Sequence, residues 1–295
     1  MSAVSPEIKE LSKLTKEEWK EYTKTVWHIA NVSHPEHPAI FPEEIPTRLI
    51  KMFTFYGESV LDPFAGSGMT ATAALKCGRR AVCIDQNPDY VNLMHKGLER
   101  FNGNRQHATI VEADARRLDF IGDDSVGLVV TSPPYWNKAD YGTKDINIGQ
   151  VSNYKEFFRQ IEPVMRECMR VLMPSRKLCI VTANVNQHTN HGLLTFPLAA
   201  DFINLLRDIG LVMVNELIWS KDKTGGKWGS YGTQRPIFGS YPYPPNFLFK
   251  NVHEYILIFA KPAKAAKTGA KVQSYEELME LPELSNSRRG AKRRK

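Results

Sequence analysis

Two short sequences in this chain combine residue types that could bind a cofactor and hold a flat polar ring. The first, Asp62-Pro63-Phe64-Ala65-Gly66-Ser67-Gly68, contains glycines that let the backbone turn sharply and approach a ligand closely. The second, Thr131-Ser132-Pro133-Pro134-Tyr135-Trp136, places a hydroxyl, two prolines and two aromatic rings side by side. A serine oxygen and a proline carbonyl can accept both hydrogens of an exocyclic amino group while Tyr135 stacks on its ring.

The glycine sequence could bind a nucleotide or simply form a tight connection between a strand and a helix. It lacks the lysine of a phosphate-binding P-loop and the glycine spacing of a dinucleotide-binding loop. Asp85 ends the next predicted strand, where an acidic residue can accept hydrogen bonds from a ribose diol. Asp114 ends the strand after that and could meet an adenine amino group. Together, these strand ends favour a bound adenosine.

A sheet must position these residues, because each group follows an apolar run that is typical of a buried strand. Strands alternate with helices, which predicts an α/β, Rossmann-like fold with a mostly parallel seven-stranded sheet and helices on both faces. The last two strands have no evident helix between them, so we expect an antiparallel hairpin at one edge. The predicted strands are Ser59–Phe64, Arg80–Asp85, Ala108–Asp114, Val126–Thr131, Lys177–Val185, Leu211–Ser220 and Glu254–Lys261. The predicted helices are Lys13–Tyr22, Glu43–Phe55, Met69–Cys77, Pro88–Phe101, Tyr154–Leu172 and Leu198–Ile209.

Composition places the chain among globular proteins that are long enough to bury a full core. It has 295 residues, of which 42% are hydrophobic and 24% charged. We find no signal peptide or membrane-spanning run, and therefore expect a cytoplasmic protein without a membrane partner. The four cysteines lack metal-ligand spacing, which favours core positions over disulfides and predicts no metal site.

The net charge of +7 comes partly from the C-terminus, where six of the last eight residues are basic. Such a run is typical of a solvated, disordered end, and equally of a segment attracted to nucleic acid phosphates.

Taken together, the two short sequences resemble the motifs of the amino-methylating DNA methyltransferases. This family transfers a methyl group from S-adenosylmethionine to an exocyclic nitrogen of cytosine or adenine. DPFAGSG (62–68) is similar to the cofactor motif and TSPPY (131–135) to the catalytic motif. Further similarity lies in Phe41-Pro42-Glu43-Glu44-Ile45, which precedes the cofactor strand, and in the closing-strand segments 219–221 and 251–255. The resemblance covers roughly residues 27–261 and implies the Rossmann-like fold of S-adenosylmethionine-dependent methyltransferases.

The resemblance implies that S-adenosylmethionine is the cofactor and double-stranded DNA the substrate. The target base would be flipped out of the duplex, with Ser132 and the Pro133 carbonyl holding its amino group and Tyr135 stacking on it. The catalytic residues would then be Ser132, Pro133, Pro134 and Tyr135. The cofactor-binding residues would be Phe41, Pro42, Asp62, Phe64, Gly66, Gly68, Asp85 and Asp114.

Serine ahead of the two prolines, where many members carry Asp or Asn, is typical of the cytosine-N4 branch. Adenine-N6 methylation is the alternative, and an RNA or protein side chain methylated by the same fold is a more distant one. A third alternative is a binding protein that keeps a degenerate cofactor fold. Such a protein would not need Asp62, Gly66, Gly68, Asp85 and TSPPY, and their presence in this chain argues against it.

Sequence recognition has to come from loops, because the cofactor motif precedes the catalytic one and no large separate domain follows. We expect DNA contacts from Trp136 and from segment 221–251, whose basic and aromatic residues include Lys223, Lys227, Trp228 and Arg235. Segment 136–150 and the N-terminus are alternatives, and 221–251 could instead pack its own aromatic rings. The expected divisions are an N-terminal helical segment at 1–26, the catalytic domain at 27–261 and a basic, disordered tail at 262–295. A cognate restriction endonuclease is a further expected partner, although an orphan modification role is also open.

Overall fold

The computed structural model describes residues 4–32, 41–101, 107–136, 147–221, 242–245, 249 and 251–263. In these parts of the chain it contains seven α-helices and ten β-strands. The helices are α1 Pro6–Leu11, α2 Lys16–Tyr22, α3 Glu44–Phe53, α4 Met69–Lys76, α5 Pro88–Leu98, α6 Tyr154–Val171 and α7 Leu198–Asp208. The strands are β1 Val26–His28, β2 Ser59–Asp62, β3 Arg80–Asp85, β4 Ala108–Glu112, β5 Val126–Thr131, β6 Leu172–Thr182, β7 Val185–Thr189, β8 Gly192–Phe196, β9 Val212–Ser220 and β10 His253–Ala260.

Eight of these strands form one sheet in the order β1-β9-β10-β6-β5-β2-β3-β4. Neighbouring strands pair in parallel except for β10, which is antiparallel to both β9 and β6. This arrangement confirms the predicted α/β, Rossmann-like fold with a mostly parallel sheet and an antiparallel hairpin. The sheet has one strand more than the seven predicted, because the prediction did not include β1, which pairs with β9 at the outer side of the hairpin. The three residues of β1 are too few to show the alternation that identifies a strand.

Helices cover both faces of the sheet, as the sequence predicted. Successive residues of β5 belong to opposite layers of the core: Val129 to the cluster of α6 and α7, and Leu128 and Val130 to that of α3, α4 and α5. All six residues of β5 are buried, as expected for a central parallel strand covered on both sides. Among the cysteines, Cys83, Cys168 and Cys179 are free and buried, and burial raises the pKa of each thiol.

The chain direction decides which strand ends meet. Strand order reverses beside β2, because β3 and β4 lie on one side of it and β5 and β6 on the other. Ligands of open α/β sheets bind in the crevice outside the carboxyl ends of the strands at such a reversal. The carboxyl ends of β2, β3, β4 and β5 share this edge. Since β10 runs the opposite way, its amino-terminal end reaches the same edge.

Two local predictions differ from the structure. The helix predicted for 13–22 begins later, at Lys16, because Thr15 forms a capping box with Glu18, and the short helix α1 before it was not predicted. Strand β6 ends at Thr182, and β7 and β8 form a separate antiparallel hairpin that the sequence analysis did not predict. The sequence of β7, Val-Asn-Gln-His-Thr, is mostly polar and therefore does not show the apolar pattern that predicts a strand. In the described parts of the chain, no helix is both long and apolar enough to cross a bilayer.

Candidate active site

The glycine sequence after β2 and the Ser-Pro-Pro-Tyr sequence after β5 open onto one cavity at the carboxyl edge of the sheet. The cavity is open to solvent, and the empty space in it, counted together with its open mouth, is about 870 Å³. Of the residues predicted to act, those that line it are Phe41, Phe64, Gly66, Asp85, Asp114, Ser132, Pro133, Pro134 and Tyr135. The two motifs are distant in the sequence, and the fold places them on one cavity, as the sequence analysis expected.

The glycine loop is held open by its backbone geometry. Gly66 and Gly68 have positive φ values of 48° and 81°, which side-chain-bearing residues rarely adopt. Gly68 is the N-cap of α4 and does not line the cavity, and a Cβ atom there would lie 2.8 Å from Cγ of Met94. Gly68 therefore supports the loop from behind, where α5 packs closely against it, while Gly66 faces the cavity.

Asp85, at the end of β3, fixes the loop and lines the cavity at the same time. Its Oδ2 accepts a hydrogen bond from the backbone N–H of Gly66 at 2.9 Å, and its Oδ1 accepts one from Asn87 N–H at 2.9 Å. One carboxylate thus joins the glycine loop to the start of α5. Its place beside the glycine loop is the one that a ribose-binding acidic residue occupies in this class of fold.

Asp62 is buried behind the cavity wall, where it connects the two motifs. Its Oδ1 accepts hydrogen bonds from the Thr131 hydroxyl at 2.7 Å and from Phe64 N–H at 3.1 Å, and its Oδ2 accepts one from the Thr70 hydroxyl at 2.6 Å. Burial raises the pKa of Asp62 to about 6 despite these hydrogen bonds, and the nearby charge of Asp85 adds to the rise. Asp62 thus positions the end of β5, rather than lining the cavity as the expected cofactor contact would.

Asp114 lines the cavity, but its carboxylate already has a close partner that the sequence analysis missed. Arg116 donates from Nε to Asp114 Oδ1 at 3.0 Å and from Nη2 to Oδ2 at 2.6 Å, in a bidentate pair. Burial alone would raise the pKa of Asp114, but the hydrogen bonds from Arg116 outweigh it and hold the pKa below the usual value. An adenine amino group would share this carboxylate with the guanidinium. The arginine two residues further along the chain was the available signal.

The catalytic motif also has partners that were missed. Tyr135 lines the cavity and donates its hydroxyl to Oε2 of Glu254, on β10, at 2.5 Å. Glu254 also forms an ion pair with Lys221, which follows the end of β9. Neither residue could be linked to Tyr135 from sequence, because the contact depends on the antiparallel direction of β10.

The remaining predicted residues lie in three kinds of place. Pro42 is buried behind the cavity and accepts the N–H of Ile45 at the start of α3. Trp136, expected at a DNA surface, is only 7% exposed and packs against Tyr154 and Phe196 at ring-centroid distances of 5.0 and 4.5 Å. The other expected DNA contacts, Lys223, Lys227, Trp228 and Arg235, lie outside the described residues.

The family model described as DNA methylase, for N6 and N4 modification, matches residues 2–96 and 126–293 of this chain. Because the match covers most of the sequence, the chain belongs to this DNA methylase family.

Relatives within the family are similar to parts of the chain. The Type II methyltransferase M.BglI of Bacillus subtilis is 40% identical over 107 residues, which are 35% of this chain and 31% of the relative. The Type II methyltransferase M.MjaI of Methanocaldococcus jannaschii is 41% identical over 176 residues, 52% of this chain and 55% of the relative. The matched segments thus span about a third and about half of these relatives. Among solved structures, a DNA modification methylase of Thermus thermophilus in complex with S-adenosyl-L-methionine is 33% identical, with 55% of this chain and 58% of that one covered and a TM-score of 0.39.

S-adenosylmethionine is the cofactor of this family, and the cavity suits such a molecule. The glycine loop allows close approach of a ligand, the Asp85 carboxylate stands where a ribose would be bound, and Phe41 and Phe64 supply apolar wall. Ser132 and Tyr135 line the same cavity. A methyl donor bound at the glycine loop would therefore have its acceptor site within the same space.

Proposed function

We propose that this chain transfers a methyl group from S-adenosylmethionine to the N4 amino nitrogen of cytosine in a specific sequence of double-stranded DNA. The observation that carries the proposal is the convergence of the glycine loop and Ser132–Tyr135 on one cavity. Donor and acceptor can then occupy adjoining parts of one site, which is the arrangement that direct transfer between them requires. Family membership supports amino methylation, and the serine of the catalytic motif supports cytosine.

The residues of the catalytic motif would act by holding the amino group rather than by removing its proton first. After the base has flipped into the cavity, the Ser132 oxygen and the Pro133 carbonyl accept its two amino hydrogens. These hydrogen bonds turn the nitrogen lone pair out of conjugation with the ring and towards the methyl group that the cofactor supplies. Tyr135 stacks on the base and fixes its plane. Positioning and electrostatics then account for most of the acceleration, and the proton leaves after transfer.

We further propose that Lys223, Lys227, Trp228 and Arg235 contact the DNA. Lysine and arginine side chains supply phosphate contacts, and an aromatic ring can stack on an exposed base. The names of the relatives, Type II methyltransferases, support a role in restriction and modification. A restriction endonuclease that recognises the same sequence is the expected partner.

The proposal is tested by incubating the purified protein with labelled S-adenosylmethionine and DNA of mixed sequence, and then identifying the modified nucleoside by mass spectrometry. N4-methylcytosine at a single sequence is the expected product. If N6-methyladenine is the only product, the target base is adenine and not cytosine. If the label is found only in added RNA, DNA is not the substrate. Ser132→Ala is the test variant and should lower turnover, because it loses one acceptor for the amino group. Unchanged turnover in this variant would remove the proposed role of Ser132.

A further inference from the structure

The antiparallel direction of β10 brings an acidic residue to the edge of the sheet where the catalytic motif lies. Glu254, the second residue of β10, is 9% exposed and is the register partner of Trp219 on β9. Its Oε2 accepts the hydrogen bond from the Tyr135 hydroxyl at 2.5 Å. The hydroxyl of a ring that lines the cavity is thus anchored to the other half of the sheet.

The second oxygen of the same carboxylate is also engaged. Oε1 of Glu254 forms an ion pair with Lys221, and the two side chains are 11% and 14% exposed. Lys221 is itself fixed, because its Nζ lies 4.4 Å from the centre of the Trp219 ring and its N–H donates to the Val252 carbonyl at 2.8 Å. A carboxylate this far from solvent is costly unless its oxygens have partners, and here each oxygen has one.

We propose that Glu254 is a positioning residue for methyl transfer, which holds the Tyr135 ring in the plane against which the target base stacks. This inference rests on the proposed function, which gives Tyr135 its stacking role. Stacking itself needs the ring but not the hydroxyl, so the hydrogen bond to Glu254 contributes orientation. A tyrosine without that anchor can turn about its side-chain torsions, and a misplaced base lowers the rate steeply. Lys221 holds the carboxylate in place through the ion pair.

The test uses Glu254→Gln, Tyr135→Phe and the double variant, with Glu216→Gln as the matched control. Glu216 lies on β9 of the same hairpin and is opposite Leu257 rather than near Tyr135. Enzyme preloaded with labelled S-adenosylmethionine is mixed with an excess of DNA duplex and of unlabelled cofactor, so that each active molecule transfers its label once and gives a rate constant and an amplitude. A loss of orientation lowers the rate constant, whereas a merely structural defect lowers the amplitude, because fewer molecules are active.

We expect Glu254→Gln and Tyr135→Phe each to lower the rate constant about tenfold, as for one hydrogen bond to a charged group. The double variant should be no slower than the slower single variant, since both changes remove one interaction. Glu216→Gln should match the wild type, and the affinity for S-adenosylmethionine should change in none of them.

Three results would overturn the positioning role. The first is a wild-type rate constant in both single variants, and the second is a loss confined to the amplitude. The third is a double variant in which the two losses multiply to about a hundredfold, because independent effects multiply while one shared interaction does not. In each case the wild-type protein still methylates DNA, so the proposed function stands. A wild-type protein that transfers no methyl group to DNA would instead overturn the proposed function, and this inference with it.

Discussion

At the scale of single residues, Asp62 connects the cofactor loop to the catalytic strand. It is 1% exposed, and it accepts hydrogen bonds from Thr70 at the start of α4 and from Thr131 at the end of β5. A buried carboxylate is disfavoured in its charged form, and its partners only partly offset that cost. Asp62 thus aligns the two motifs, but burying its ionised carboxylate lowers the free energy of unfolding of the protein.

We expect Asp62 to make the protein less stable as the pH rises from about 4 to about 6. Its pKa is about 6 in the folded protein and near 3.9 in an unfolded chain, so the folded state retains a proton that the unfolded chain has lost. The free energy of unfolding therefore falls across this window and levels off above it. Relative to Asp62→Asn, which does not ionise, the wild type should lose up to about 3 kcal/mol between pH 4 and pH 7.

Denaturant unfolding of both proteins across this pH range measures the effect of Asp62. The difference in their free energies of unfolding isolates one carboxyl group from the others that titrate in the same range. A difference that stays constant with pH would show that the carboxyl group titrates alike in the folded and unfolded states.

At the scale of elements, sequence predicted the strands that end at the cavity because each is a short apolar run followed by distinctive residues. Val126–Thr131 is buried along its whole length, and local composition alone identifies it. The same method missed β7, whose polar residues resemble a loop, and with it the pairing strand β8. It also missed Glu254 as a partner of Tyr135, because pairing between distant strands is set by the whole sheet and not by local sequence. Trp136 shows the converse case, since the sequence analysis expected it to contact DNA and the fold buries it.

We expect Trp136 to contribute to stability rather than to DNA affinity. Its indole packs against Tyr154 and Phe196, and its Nε1 has no hydrogen-bond partner among the described residues. Trp136→Ala should lower the free energy of unfolding by about 3–5 kcal/mol, as for other buried aromatic rings. Trp136→Phe should cost much less, because it keeps a ring and removes an unpaired donor.

Denaturant unfolding and DNA binding of both Trp136 variants separate the two roles. Trp136→Phe should bind DNA as the wild type does. Weaker DNA binding with unchanged stability would instead restore the contact that the sequence suggested.

At the scale of the whole molecule, the proposed site divides into a part that the fold fixes and a part that we propose reads DNA. The sheet edge brings together Gly66, Asp85, Ser132 and Tyr135, and sequence predicted all four because parallel strands share their carboxyl ends. The residues proposed to read DNA could not be placed by such a rule, and they lie outside the described residues, between β9 and β10 in the sequence. The net charge of +7 is consistent with a polyanionic substrate, but it does not say which lysines contact phosphates.

Salt dependence of DNA binding distinguishes the proposed phosphate contacts from general positive charge. Each neutralised phosphate contributes about one unit to the slope of log affinity against log salt concentration. Lys223→Gln and Lys227→Gln should therefore each reduce the slope by about one, with unchanged affinity for S-adenosylmethionine, whose proposed site is at the glycine loop. Arg166→Gln is the matched control, because this residue of α6 is 57% exposed and paired with Glu162. Equal slopes for all three variants would mean that segment 221–251 does not supply the phosphate contacts, and that DNA lies against another face of the protein.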